Sequence, residues 1–399
     1  MSEPKTLKGF RDFLPKEERK RQYILDTLKK VFALYGFEPL ETPALEYEEI
    51  LTGKYGDEGE KLMYKFEDNG KRKVALRYDQ TVPLARVISQ YQNEISLPFK
   101  RYQIQNVWRA ENTQRGRYRE FLQVDVDTIG IYSPLADAEI LSLVYDSFKN
   151  LGLEIEILIN DRLKLSGIEN KYLTSIDKLG KIGAEEVIKE LEKKGLTKEE
   201  AERTLRTVKD LSESDRIKEV KGVFEKMGKP KEVLVYKPVL IRGLDYYTGI
   251  IFEVVLKNKD KTLSLGGGGR FDNLIGIFAG RDIPAVGFSF GFDRIMETME
   301  ELSVFSKIAK TRDVFVAFSN PELQQKAFEI LNKLRQNNIN SEFYLEDSEL
   351  KKQLRYADKK GISFAIIAEE DGLILKDMEK GTQEKLTFEE ILKELNSVL

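Results

Sequence analysis

Arg109, Arg115, Arg117 and Arg119 place four guanidinium groups within eleven residues, with Glu111 among them. A guanidinium is a planar fork of N–H donors that matches phosphate oxygens two at a time. That density suits phosphate chemistry, which a lone surface arginine does not. The residues that follow read EFLQVDVDTIG. As a strand, with its period of two, they put Leu122, Val124 and Val126 on one face and Gln123, Asp125 and Asp127 on the other. An amide and two acids are too polar for a core, so that face is either solvated or lines a polar site. A third stretch, Leu240–Glu253, reads LIRGLDYYTGIIFE. It carries Arg242, Asp245, Tyr246 and Tyr247 into a β-branched strand. Taken alone, it is equally a structural Arg–Asp pair beside packed tyrosines or part of a site.

Three other stretches hold polar groups at element ends. KVALRYD alternates as a strand and ends on Asp79, just ahead of a helix opened by Thr81 and Pro83. Asp79 either receives a cationic group or caps that helix. LSLGGGGRFDNLI has four consecutive glycines but lacks both the Gly-Lys-Ser/Thr ending of a P-loop and the spacing of a dinucleotide site. By itself it reads as a tight strand crossing. PAVGFSFGFDRIM is a strand running into a helix begun by Asp293 and Arg294.

These groups need a scaffold to bring them together. Glu17–Tyr35 is an amphipathic helix with Ile24, Leu28, Val31, Phe32 and Tyr35 on one face and Gly36 at its stop. Leu40–Leu45 reads as a short strand broken by Pro43, which suits an edge or an interface. Helix and edge together fit either a dimer contact or core packing. Arg101–Gly130 reads as two strands joined by a polar loop at Ala110–Gly116. Pro134–Leu151 is a helix and Leu153–Ile159 a strand. Ile168–Pro230 turns Lys/Glu-rich and helical, with a capping box at Thr197 and Glu200, and reads as an insertion. Past a charged linker at Lys307–Asp313, strand and helix alternate to the end, implying a mostly parallel sheet. One helix there carries Lys351, Lys352, Arg355, Lys359 and Lys360, either a solvated face or a contact for an RNA backbone.

Composition narrows the chemistry. The 399 residues include neither cysteine nor histidine. Disulfides, thiolate nucleophiles, imidazole bases and Cys/His metal sites are all excluded. Carboxylates, Lys, Arg, Tyr, hydroxyls and backbone remain. With 65 basic and 68 acidic side chains the net charge is −3, which neither advertises nucleic-acid binding nor forbids a local basic patch. No run approaches a membrane span and Met1–Phe10 has no signal-peptide pattern, so the expected location is the cytoplasm, with no membrane partner.

Set together, the motifs resemble those of class II aminoacyl-tRNA synthetases. Arg109, Glu111 and RGRYREFLQVDVD are similar to motif 2, GFSFGFDRI with Arg294 to motif 3, and Glu17–Leu45 to motif 1. RGLDYYTG, LRYDQTVPLAR and GGGGRFDNL resemble, in order, stretches of the histidyl-tRNA synthetase family. The resemblance covers nearly the whole chain. It implies an α+β fold, in which a class II antiparallel sheet flanked by helices occupies residues 1–310, with a helical insertion at about 165–230, followed by a C-terminal α/β anticodon-binding domain at 311–399. It also implies attachment of histidine to tRNA(His) with ATP and Mg²⁺, through a histidyl-adenylate, by a homodimer. By the same resemblance Arg109 and Arg242 serve the α-phosphate, Arg117 and Arg294 the other phosphates, and Glu111 the adenine side. Asp79, Thr81 and Gln123 would take the α-ammonium of histidine. Asp127 and Tyr247 would take the two imidazole nitrogens, with Tyr246 beside them. The sequence departs at Phe271, where the family usually has tyrosine, so one hydroxyl is missing beside the expected pocket. The related regulatory subunit of ATP phosphoribosyltransferase generally lacks both the anticodon domain and the RGLDYY stretch, and both are present here.

Overall fold

The computed structural model describes residues 3–54, 56–113, 117–241, 246–257, 264–307, 313–346 and 348–398. The chain divides into two compact units, Met1–Leu302 and Ser303–Leu399. In the first, the strands are β1 (Glu38–Pro39), β2 (Leu45–Tyr47), β3 (Lys65–Glu67), β4 (Lys73–Leu76), β5 (Phe99–Trp108), β6 (Glu120–Ile129), β7 (Ile155–Asp161), β8 (Leu234–Tyr236), β9 (Ile250–Leu256), β10 (Gly266–Arg270) and β11 (Ala285–Phe290). Eight form one sheet in the order β1-β5-β6-β11-β10-β9-β7-β8, and β2-β4-β3 form a small second sheet. The large sheet is antiparallel except for its outer pairs, β1 with β5 and β7 with β8.

The Pro15–Leu34 helix buries Ile24, Leu25, Leu28, Val31 and Phe32. Phe32 packs on Tyr102 of β5 and Phe290 of β11, with ring centroids 5.3 and 5.6 Å apart. Its apolar stripe is thus spent inside its own unit, while Leu14 and Leu34 at its two ends are exposed, as are Leu45, Tyr47 and Phe66 further along the chain. Leu40–Ala44 is not a strand, contrary to the sequence expectation; strand pieces flank it instead. The carbonyls of Thr42 and Pro43 turn to the buried side chain of Arg77, whose Nη1 donates to both at 2.6 and 3.2 Å. Proline has no N–H to continue a ladder there.

The insertion supplies four helices, Asn170–Ile176, Leu179–Lys193, Lys198–Lys209 and Asp215–Lys226. The first three share a core of Leu173, Ile176, Val187, Leu191, Leu205 and Val208. Thr197 and Glu200 form the expected capping box. The fourth departs from the module: its Phe224 meets Tyr145 of the Pro134–Asn150 helix edge to face, and its Arg216 reaches Asp137.

In the second unit β12 (Asp313–Phe318), β13 (Asn340–Phe343), β14 (Phe364–Glu369), β15 (Gly372–Asp377) and β16 (Gln383–Leu386) form one sheet in the order β13-β12-β14-β15-β16. Its first three strands are parallel, as the alternation implied. The antiparallel strands β15 and β16 were not foreseen; they stand where only a final helix was read. Leu373 and Leu375 alternate inward there, a short signal masked by the charges around it.

The glycine run is the central strand β10, gripped on both sides by β9 and β11. A Cβ on Gly268 would overlap the carbonyl oxygen of Gly287, and one on Gly269 would stand 2.7 Å from the carbonyl oxygen of Ile250. Side chains cannot be added without parting the sheet. Gly268→Ala is expected to lower the unfolding free energy by about 3 kcal/mol or more, since backbone rather than a flexible side chain must move; urea denaturation reads this directly.

Candidate active site

A cavity of about 580 Å³ opens over the face of β6 that carries Gln123, Asp125 and Asp127. Asp79, Thr81, Arg109, Glu111, Arg117, Tyr246, Tyr247 and Arg294 line it as well. Every described residue to which the resemblance gave a histidine or ATP role therefore lines one cavity. Arg242, Asp245 and Arg115 lie outside the described residues. The alternative left open for β6 resolves against solvent: Gln123, Asp125 and Asp127 are all buried.

Arg109, Arg117 and Arg294 bring the positive charge to this cavity. Arg109 follows β5, and its Nε donates to the Tyr78 carbonyl at 3.1 Å. Its guanidinium carbon lies 4.4 Å from the Tyr78 ring centroid and 5.1 Å from that of Phe121. Held by one carbonyl and two ring faces, it is oriented before any ligand arrives. Arg117 is half exposed and lies 3.5 Å from Glu111, a loose pair easily exchanged for another anion. Arg294 sits in the first turn of the Phe292–Glu301 helix, and its Nη1 donates to the Ser264 carbonyl at 2.9 Å. The helix N-terminus adds its own attraction for negative charge.

The acid face is differently built. Gln123 Nε2 donates to Asp125 Oδ2 at 2.7 Å. Gln123 Oε1, Asp125 Oδ1 and Asp127 Oδ2 have no hydrogen-bond partner among the described residues. Burial pushes the Asp127 carboxyl up to about 7; Arg101 pulls against this, while Asp125 and Asp79 add to it. Burial likewise lifts Asp125 to about 6, again opposed by Arg101. Unsatisfied buried acceptors are costly, and a cavity lined with them is suited to a ligand rich in N–H donors.

Asp79 takes the capping role left open for it and also faces the cavity. Its Oδ1 accepts the Val82 N–H at 3.1 Å, capping the Thr81–Gln90 helix, and the residue lines the cavity. The rings of Tyr246 and Tyr247 lie 4.9 Å apart, tilted by 56°, and the Tyr246 phenol shares a hydrogen bond with Thr81. Phe271 is buried and meets Tyr246 edge to face at 6.0 Å, so the position without a hydroxyl is filled as apolar packing. The glycine run proves to be both strand and floor, since Gly266, Gly267 and Gly268 line the cavity. Asp125, Asp177 and Glu253 also line it without having been assigned a role. For Asp125 and Glu253 the signal was present: Glu253 is an acid in an otherwise apolar strand, and Asp125 belongs to the polar face of β6. Asp177, from the insertion, gave none. Among the described residues no three acid side chains cluster so as to hold a metal ion of their own.

The comparisons agree over the whole chain. The family model for histidyl-tRNA synthetase matches residues 9–163 and 165–295, and that for an anticodon binding domain matches 313–397. A histidine–tRNA ligase of Cytophaga hutchinsonii is 40% identical over 99% of this chain and 100% of its own length. One of Rhodopirellula baltica is 40% identical over 92% and 90%. The crystal structure of histidyl-tRNA synthetase from Nostoc sp. PCC 7120 superposes with a TM-score of 0.86 at 29% identity, covering all of both chains.

The raised carboxyl of Asp127 links stability to pH. Its folded value, about 7, lies above its ordinary 3.8. The stability it contributes is full below the ordinary value and is lost as pH rises to about 7. Asp127→Asn removes that loss, so its unfolding free energy relative to the parent should rise between pH 4.5 and pH 8, roughly the span of the shift. Parallel urea titrations at the two pH values check this; a difference that does not change with pH would contradict it.

Proposed function

Because the chain belongs to the histidyl-tRNA synthetase family and attaches histidine to tRNA using ATP, we propose that the cavity over β6 is where histidine and ATP meet, and that its residues divide the work as follows. The carboxylate of histidine attacks the α-phosphorus of ATP; the new O–P bond forms as the bond to the bridging oxygen breaks, and pyrophosphate leaves. The terminal ribose hydroxyl of tRNA then attacks the carbonyl of the adenylate, and AMP leaves. Both steps depend on orientation and on charge placed where negative charge grows.

Arg109 holds the α-phosphate from one side and Arg242 from the other. Arg117 and Arg294 take the outer phosphates, and Glu111 faces the adenine. Asp79, Thr81 and Gln123 receive the α-ammonium. Asp127 accepts the imidazole N–H while Tyr247 serves the second ring nitrogen, with Tyr246 bracing it. ATP arrives with a divalent metal; Mg²⁺ is the ion proposed, carried by the phosphates. The observation that carries this reading is the buried row of Gln123, Asp125 and Asp127 along the cavity, in which Gln123 Oε1 and Asp125 Oδ1 take no aligned hydrogen bond and Asp127 Oδ2 has only its ionic contact with Arg101. An ammonium and an imidazole N–H are what such a row lacks. A site built this way rejects analogues without those groups by factors of about 10⁴.

The C-terminal unit would receive the anticodon of tRNA(His), with Lys351, Arg355 and Lys359 exposed on the Leu350–Lys360 helix. Lys352 and Lys360 there are already paired with Glu346 and Glu342. No helix among the described residues is long and apolar enough to cross a membrane, and the cytoplasm is the location proposed.

The direct test is pyrophosphate exchange dependent on histidine and ATP, followed by charging of tRNA. Folded, ATP-binding protein that gives no exchange would overturn the assignment. Arg242→Ala should slow adenylate formation about a hundredfold or more, as loss of a donor to the transition state does; a loss under about tenfold removes its role.

A homodimer is the proposed assembly. Tyr47 of β2 and Phe66 of β3 both register with Val74 of β4 and are 52% and 47% exposed. Exposed aromatics on the two strands that flank β4 suit a self-complementary contact. Tyr47→Glu combined with Phe66→Glu should give a monomer in sedimentation velocity, while a dimer of unchanged stability would place the contact elsewhere.

A further inference from the structure

We infer that Arg101 is a positioning residue for histidine recognition, one that orients Asp127 and keeps it an ionised acceptor; this rests on Asp127 being the partner of the imidazole N–H. Arg101 lies on β5 directly opposite Asp127 on β6. Its side chain is fully buried, and Nη2 stands 2.7 Å from Asp127 Oδ2. The contact is ionic rather than an aligned hydrogen bond, since neither atom has a hydrogen-bond partner among the described residues. Asp127 Oδ2 therefore keeps a lone pair for a donor entering the cavity.

The surroundings leave Arg101 little freedom. Along β5, Gln103 stands opposite Asp125 and Gln105 opposite Gln123. Arg101 Nη1 donates to Gln103 Oε1 at 3.2 Å, and Gln103 Nε2 donates to Thr42 Oγ1 at 2.9 Å and to Gln105 Oε1 at 2.6 Å. Arg77 Nη1 donates to Gln105 Oε1 at 3.1 Å. A row of donors and amides on β5 thus flanks the row of acceptors on β6. On the other side, β11 presents Gly287 opposite Asp127, where a Cβ would overlap Asp127 Oδ1. The carboxylate is held between a guanidinium and a glycine.

Removing a guanidinium from water costs more than an ion pair commonly returns. Apolar residues of that size would serve stability as well. What they would not supply is charge. The titratable groups bearing on Asp127 are Asp125 on its own strand, Asp79 ahead of the Thr81–Gln90 helix and Arg101 on β5, with Tyr247 lining the same cavity. The two aspartates push Asp127 towards its neutral form, and among these groups only Arg101 opposes them. A neutral carboxylic acid would offer a proton to the ring instead of accepting one, and would be free to turn.

The test uses the full chain in pyrophosphate exchange between pH 6 and pH 9. Arg101→Met should raise KM for histidine about 30-fold or more, as loss of a charge-assisted hydrogen bond does, with KM for ATP changed less than about threefold. The acid limb of kcat/KM for histidine should move to higher pH. Arg101→Lys, which keeps the charge but not the fork, should leave the limb near that of the parent and raise KM for histidine by an intermediate factor. Parent-like KM for histidine and parent-like limbs in both folded variants overturn the inference. Equal rises in KM for histidine and ATP also overturn it, reducing Arg101 to a structural part. Should Arg101→Met fail to fold, Arg101→Lys decides alone: an unchanged KM for histidine is then the negative result. A parent protein without histidine-dependent exchange would instead remove the proposed function itself.

Discussion

The catalytic unit is organised by the need to hold carboxylates out of water on one face of β6 and still keep them useful. Asp125 and Asp127 are buried, and burial alone drives both towards protonation. One guanidinium beside them works the other way. The strand register makes that possible, since it places Arg101 and Gly287 on opposite flanks of the same aspartate. One flank supplies charge and the other supplies room.

A second buried ionic set fixes the glycine strand from its far end. Arg270, at the end of β10, reaches Asp137 through Nη2 at 3.0 Å and Asp272 through Nη1 at 3.0 Å. Asp137 also takes Arg216 of the insertion at 2.6 Å. Leaving one such charge unpaired costs about 3–5 kcal/mol, so the three elements are tied together. The strand that floors the cavity, the Pro134–Asn150 helix and the last insertion helix therefore hold their places as one piece. Thr248 joins them: its N–H donates to the Arg270 carbonyl and its hydroxyl to Asp272, which fixes the chain just after Tyr247.

The absence of histidine and cysteine is consistent with the chemistry. Phosphoryl activation by a carboxylate asks for orientation and for fixed positive charge, not for a proton relay near neutral pH. Arg109 shows how such charge is prepared, with a carbonyl and two ring faces setting its angle. The acid row of β6 brings the opposite sign into the same cavity, on the strand paired with the one that Arg109 follows.

Much of this was present in the order of residues. The alternation of Gln123, Asp125 and Asp127 against Leu122, Val124 and Val126 set which groups share a face, because side-chain direction in a strand depends only on neighbours two residues away. The density of arginines around Glu111, the Thr197 capping box and the helix beginning near Glu17 were legible for the same reason: each is a local pattern. Leu40–Ala44 misled because its carbonyls are satisfied by Arg77, over thirty residues along the chain. The β15–β16 hairpin was missed because its apolar alternation is too short to stand out. Arg101 carried no signal at all: a basic residue in KRYQIQ reads as an exposed edge. Its burial, its contact with Asp127 and the gap left by Gly287 are consequences of cross-strand register. Register is settled by the packing of the whole sheet, and no stretch of sequence contains it.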